Sequence, residues 1–117
     1  MMAAGSGSRV VVATRPVDFR KGHDGLAALV EHDLGLDPYS GIVFVFRPKR
    51  LDRIKVLWWD GTGLVLASKR LEEGKFAWPA VRDGVIRLSR AQFEALFEGL
   101  DWRRVWGPRV RRPLAAA

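Results

Sequence analysis

The sequence predicts an α+β fold: an antiparallel β-meander of four to five strands with two helices packed against it. Between Gly41 and Leu71, three β-branched and aromatic runs are separated by turn-forming residues, which reads as a meander. On either side of this stretch, apolar residues recur at helical spacing, around Leu26–Val30 and Phe93–Phe97. The 117 residues give room for one domain and one core.

The elements follow in order. Val10–Ala13 is a short β-branched run closed by Arg15-Pro16, and reads as a first strand. Asp18 can cap a helix that carries Phe19, Leu26, Leu29 and Val30 on one face. Gly22 and Gly25 each weaken that helix by roughly 1 kcal/mol relative to alanine, so they mark either close packing or a true start nearer Asp24. Gly35 is a helix stop, and Asp37-Pro38 prevents resumption. Ile42–Phe46 is uninterruptedly apolar, as expected of a strand covered on both faces. Ile54–Trp59 and Leu64–Leu71 are the next two strands, joined by the turn Asp60-Gly61-Thr62-Gly63. Phe76–Pro79 reads as a short edge strand, because Pro79 cannot donate to a ladder. Ser89 and Gln92 form a capping box, with Leu88 and Phe93 as its hydrophobic staple. Phe93, Leu96, Phe97 and Leu100 make one stripe on the helix they open, and Gly99 stops it.

No cysteine is present, which excludes disulfides and thiolate metal sites. The apolar runs fall far short of the roughly 20 residues a membrane span needs, so no membrane association is expected. Residues 1–8 lack the charge and apolar stretch of a signal peptide and read as a disordered leader. The expected organisation is that leader, a domain over 9–104 and a basic, disordered tail over 105–117, in a cytoplasmic protein.

The formal charge is +7, unevenly distributed. Arg103, Arg104, Arg109, Arg111 and Arg112 give the last fifteen residues +5, whereas residues 1–102 carry only +2. Such an arm suits either attraction to nucleic acid or plain solubilisation. A second basic cluster, Arg47, Lys49, Arg50, Arg53 and Lys55, faces one acid, Asp52, in the connector between two strands. Several cations at a hairpin can reach successive phosphates; the alternative is a solvated loop. Trp58 and Trp59 point to opposite faces of their strand, so one enters the core and the other is covered or offered to a partner. Trp102 and Trp106 raise the same question near the C-terminus.

Catalytic patterns are weak. A two-metal site needs acids converging on ions about 3.5–4 Å apart, whereas Asp18 and Asp60 have cap and turn roles and Asp52 sits among bases. His23 and His32 form no ligand pair or triad, and no phosphate-binding or nucleophile motif appears. Arg20-Lys21-Gly22 near a helix start reads either as an anion site or as a solvated first turn. No cofactor, metal or small-molecule substrate is expected.

Taken together, the motifs resemble a known family. Arg20-Lys21-Gly22 with Asp24–Ala27, Leu34–Gly41, Phe44–Arg47, Trp59–Gly63 and Lys69–Glu72 with Gly74 and Phe76 occur in the order of the accessory TnpB protein of insertion-sequence-66 transposons. Leu88–Gln92 and Glu98–Trp102 fit the same pattern, so the resemblance spans about residues 10–104. His23 departs from it, standing where the family prefers an apolar residue, as either an exposed helix edge or a satisfied core histidine. This family is unrelated to the RNA-guided nucleases that share the TnpB name.

The resemblance implies a bacterial, element-encoded helper of transposition whose strand-transfer chemistry lies on a separate transposase. It carries over no catalytic residue. The expected function is therefore a non-enzymatic accessory factor contacting DNA at the transposon ends, the transposase, or both. DNA would be held by the connector and the C-terminal arm; a pure protein-interaction module would use Trp58 and Trp59 instead. A small metal-dependent nuclease is the third reading.

Overall fold

The structure, a computed structural model, describes residues 9–82 and 84–105. The expected leader and all of the expected tail except Val105 lie outside the described residues. Five strands form one sheet: β1 (Val10–Ala13), β2 (Val43–Phe46), β3 (Arg53–Trp59), β4 (Leu64–Arg70) and β5 (Val85–Leu88). Helix α1 (His23–His32) joins β1 to β2, and α2 (Arg90–Phe97) follows β5.

The sheet order is β4-β3-β2-β1-β5. The stretch β2–β3–β4 is the expected antiparallel meander. The sheet as a whole is mixed, however, because β1 pairs parallel to β2. Parallel neighbours need a crossover rather than a hairpin, and α1 supplies it. The fifth strand is also not the expected one. Phe76–Pro79 forms no strand but lies as a strap, with Phe76 N–H donating to Leu51 O and Trp78 N–H to Phe76 O. The edge strand is instead Val85–Leu88, antiparallel to β1 in register Val10↔Leu88.

Both sheet faces are covered, which explains the uninterrupted apolar character of β1 and β2. On one face, Leu26, Ala27 and Val30 of α1 pack on Val11, Ala13, Phe44, Phe46 and Leu57. On the other, Phe93 and Leu96 of α2, with Phe76 and Trp78 of the strap, pack on Val12, Val45, Ile54, Val56 and Trp58. Thr14, the one buried polar residue among those described, donates to Arg82 O and so pins the segment that follows the strap beside β1.

Helix α1 starts later than Asp18. Gly22 occupies the N-cap position without a side-chain cap, and Asp18 instead accepts from the Arg20 backbone N–H at 2.9 Å and its guanidinium at 2.7 Å. Phe19 is therefore a loop residue rather than part of the helix face. Gly35, at φ 65°, turns the chain away from the helix end as expected. The capping box of α2 is present: Gln92 N–H donates to Ser89 Oγ at 3.1 Å, and Ser89 N–H to Gln92 Oε1 at 2.9 Å. Leu100 does not join the stripe, since α2 ends at Phe97 and the Leu100 side chain is exposed.

These assignments predict a contrast. Ser89→Ala should lower stability by about 1 kcal/mol, read as a lower urea midpoint, and Asp18→Ala should lower it far less. The Arg20 guanidinium, with the Arg20 backbone N–H, holds the Asp18 carboxyl at about 2, below its ordinary 3.8. A carboxylate depressed in this way contributes stability above its ordinary value and loses it as pH falls through about 2. An NMR titration should find the Asp18 midpoint near that value and find it raised in Arg20→Ala, though still below the ordinary value because the backbone N–H of residue 20 is kept.

Candidate nucleic-acid interface

The strand register decides which loops meet. Val12 pairs with Val45, Phe46 with Lys55, Arg53 with Arg70, and Ala13 with Val85. The ends of β1, β2 and β4 and the starts of β3 and β5 therefore lie at one end of the sheet. Segments 14–24, 47–55 and 70–84 gather there with eleven bases and six acids, a net +5. The rest of residues 1–102 holds four bases and seven acids, a net −3. A body that is nearly neutral as a sequence is thus electrically polar once folded.

The predicted bases take different places within this end. Lys49 and Arg50 are exposed on the connector, and Arg50 pairs with Asp52 at 3.2 Å. Arg53 stands 4.0 Å from the same carboxylate. Lys55 is turned inward: its Nζ donates to Phe19 O at 2.6 Å and Lys21 O at 3.1 Å, tying β3 to the loop after β1. The Arg47 side chain folds back, its Nε donating to Pro48 O at 3.0 Å while the guanidinium lies 6.0 Å from the Trp78 ring.

Trp78 is the junction of the site. Its Nε1–H donates to Leu51 O at 3.1 Å, fixing the strap to the connector. Its own carbonyl accepts from the Arg103 guanidinium at 3.0 Å. Trp102 closes the other side, donating to Ala77 O at 2.6 Å, and Arg103 lies 4.8 Å over the Trp102 ring. The connector and the first base of the C-terminal arm, far apart in sequence, meet through this one residue. Arg104 stays in solvent, 3.7 Å from Asp101. Arg109, Arg111, Arg112 and Trp106 lie outside the described residues.

Six bases at this end are not among the nucleic-acid candidates from sequence: Arg15, Arg20, Lys21, Arg70, Lys75 and Arg82, all exposed, of which Arg20 and Lys21 belong to the segment read there as an anion site or a solvated turn. Arg70 was legible in principle. The turn at Asp60–Gly63 pairs Trp59 with Leu64, and counting outward from it sets Arg70 opposite Arg53. Asp60 Oδ1 accepts from the backbone N–H groups of Thr62 and Gly63, which lower its pKa and hold that turn.

The two adjacent tryptophans separate as alternation requires. Trp58 is 6% exposed within the core, its Nε1 buried without a hydrogen-bond partner. Trp59 is half-buried on the opposite face and meets exposed Tyr39 edge-on, with ring centroids 5.6 Å apart. This pair lies at the other end of the sheet from the basic cluster.

Among the described residues, no three His, Cys, Asp or Glu side chains come together as metal ligands. An open cleft of about 600 Å³ beside the loop after β1 is lined by Arg15 and Lys21 together with Asp18 and Asp33, a mixed rather than acidic wall. No helix among the described residues is long and apolar enough to cross a membrane.

Comparison with known proteins adds the family. Two proteins of Sinorhizobium fredii, both described as uncharacterized, are similar to this chain. Protein y4jC is 50% identical over 117 residues, all of both chains. Protein y4hO is 41% identical over 111 residues, covering 92% of this chain and 96% of its own. No solved structure matches. The TnpB family of IS66 elements, described as IS66 Orf2-like protein, matches residues 8–106. With every described residue inside that match, the protein belongs to the IS66 Orf2-like family.

Proposed function

We propose that this chain is a non-enzymatic accessory factor in transposition that holds DNA at the ends of its element through the basic end of the sheet, beside a separate transposase. The observation that carries this reading is the gathering of net +5 at one end of a body whose remainder is net −3. Phosphate contacts from Lys and Arg release condensed counterions, which supplies sequence-independent affinity and positions a protein on a duplex. The exposure of Lys49 and Arg50 on the connector supports assigning such contacts to them. Arg53 adds its charge at the start of β3, and Arg104, Arg109, Arg111 and Arg112 extend the same charge along the C-terminal arm. Arg47, Lys55 and Arg103 contribute field and hold the platform, since their side chains are engaged with backbone carbonyls.

A second reading has its own observation. The Tyr39–Trp59 pair offers a partly exposed aromatic surface at the opposite end, suited to the transposase. Trp58 takes no direct part in such a contact, because its ring is inside the core. DNA and transposase would then be held at different ends of one small body.

The test is a titration of duplex DNA carrying the element's terminal repeats at several salt concentrations. Affinity should fall steeply with salt, and Lys49→Ala combined with Arg50→Ala should reduce the log–log slope by roughly 1.8. A wild-type affinity insensitive to salt, or a double variant indistinguishable from wild type, would remove the connector from the DNA interface.

A further inference from the structure

Arg53 and Arg70 stand directly opposite each other across β3 and β4, on the same face of the sheet. Like charges in this position oppose strand pairing, because directly opposed side chains have Cβ atoms only about 4.5–5.5 Å apart. The local carboxylates offset this weakly. Asp52 is 4.0 Å from Arg53 and is shared with Arg50, and Glu72, 3.2 Å from Arg70, is itself 81% exposed. The Arg70–Glu72 pair lies in solvent and contributes little there; Asp52 is only 24% exposed, but it is divided between two arginines, and its Oδ1 and Arg53 Nε are buried without a hydrogen bond.

Protection of a sheet edge accounts for only half of the pair. A charge on the open edge strand β4 discourages pairing with another chain, but β3 is an interior strand and gains nothing from Arg53 in that role. The next base along the face is turned away: Lys55, opposite Ser68, reaches Phe19 O and Lys21 O. The two arginines are thereby left as a forked cationic pair at the basic end.

We propose that Arg53 and Arg70 form a phosphate clamp, taking one backbone phosphate of duplex DNA between their guanidinium groups. The assignment rests on the DNA reading above. A bound phosphate would neutralise the repulsion between the opposed strands, so occupancy of the clamp stabilises the end of the β3–β4 ladder. Arginine suits this because its planar fork pairs two N–H groups with phosphate oxygens.

The test uses the full chain with Arg70→Thr, which keeps a good strand former at the position. The control is Arg87→Thr, which removes the same charge from exposed Arg87 on the other edge strand. Without DNA, Arg70→Thr should melt about 2–4 °C higher than wild type as the repulsion is relieved. Its affinity for duplex DNA should fall about tenfold, with the salt slope reduced by roughly 0.9. Arg87→Thr should leave DNA affinity close to wild type. Inorganic pyrophosphate should raise the melting temperature of wild type and raise that of Arg70→Thr less. If wild type binds duplex DNA and Arg70→Thr binds it equally at every salt concentration, the clamp is wrong while the DNA reading stands. Equal loss of affinity in both variants reduces the effect to net charge and also overturns the clamp. If wild type does not bind duplex DNA, the DNA reading itself fails and the clamp fails with it.

Discussion

The burial of β1 on both faces is the constraint from which the rest of the structure follows. Its four residues, Val10–Ala13, are at most 4% exposed and lie between β2 and β5. Each fully buried aliphatic side chain contributes roughly 1.5–3 kcal/mol relative to exposure, so an uncovered face would forfeit much of the core. Covering one face requires α1, and covering the other requires α2 and the Phe76–Trp78 strap. Because α1 is a crossover, β1 and β2 run parallel and finish at the same end of the sheet. Loops that carry bases from three separated segments are brought together there as a consequence.

Collecting like charges has a cost, and the fold limits it in a consistent way. Three of the bases are engaged by backbone carbonyls: Arg47 by Pro48, Lys55 by Phe19 and Lys21, and Arg103 by Trp78. These contacts satisfy the cations without neutralising them, so the end keeps its positive field. At physiological salt the screening length is about 8 Å, so groups within one such cluster still act together. The Lys55 contacts also link the connector to segment 14–24, and Trp78 links the connector, through Leu51 O, to Arg103.

The features legible in sequence were those set by neighbours along the chain. The Ser89–Gln92 capping box, the Asp60–Gly63 turn and the Gly35 stop each depend on a few adjacent residues, and each is present in the structure. Alternation correctly separated Trp58 from Trp59. What failed depended on distant partners. The parallel pairing of β1 and β2 and the role of Val85–Leu88 are set by which surfaces remain to be covered, and no local pattern encodes that. The identity of Asp18 fits a cap, but Arg20 two residues on captures its carboxylate first. The candidate site was half legible for the same reason. The connector bases form a run along the chain, whereas Arg70 joins them only through the register of a hairpin and Arg103 only through Trp78.

The most direct measure of the account is a two-dimensional amide NMR titration of the full chain with short duplex DNA from the element's ends. Shifts should be confined to residues 14–24, 47–55 and 70–78 and to the C-terminal arm, with Tyr39, Trp59 and the Asp60–Gly63 turn unmoved at the far end. Shifts centred on Tyr39 and Trp59, or spread evenly over both ends of the sheet, would contradict it.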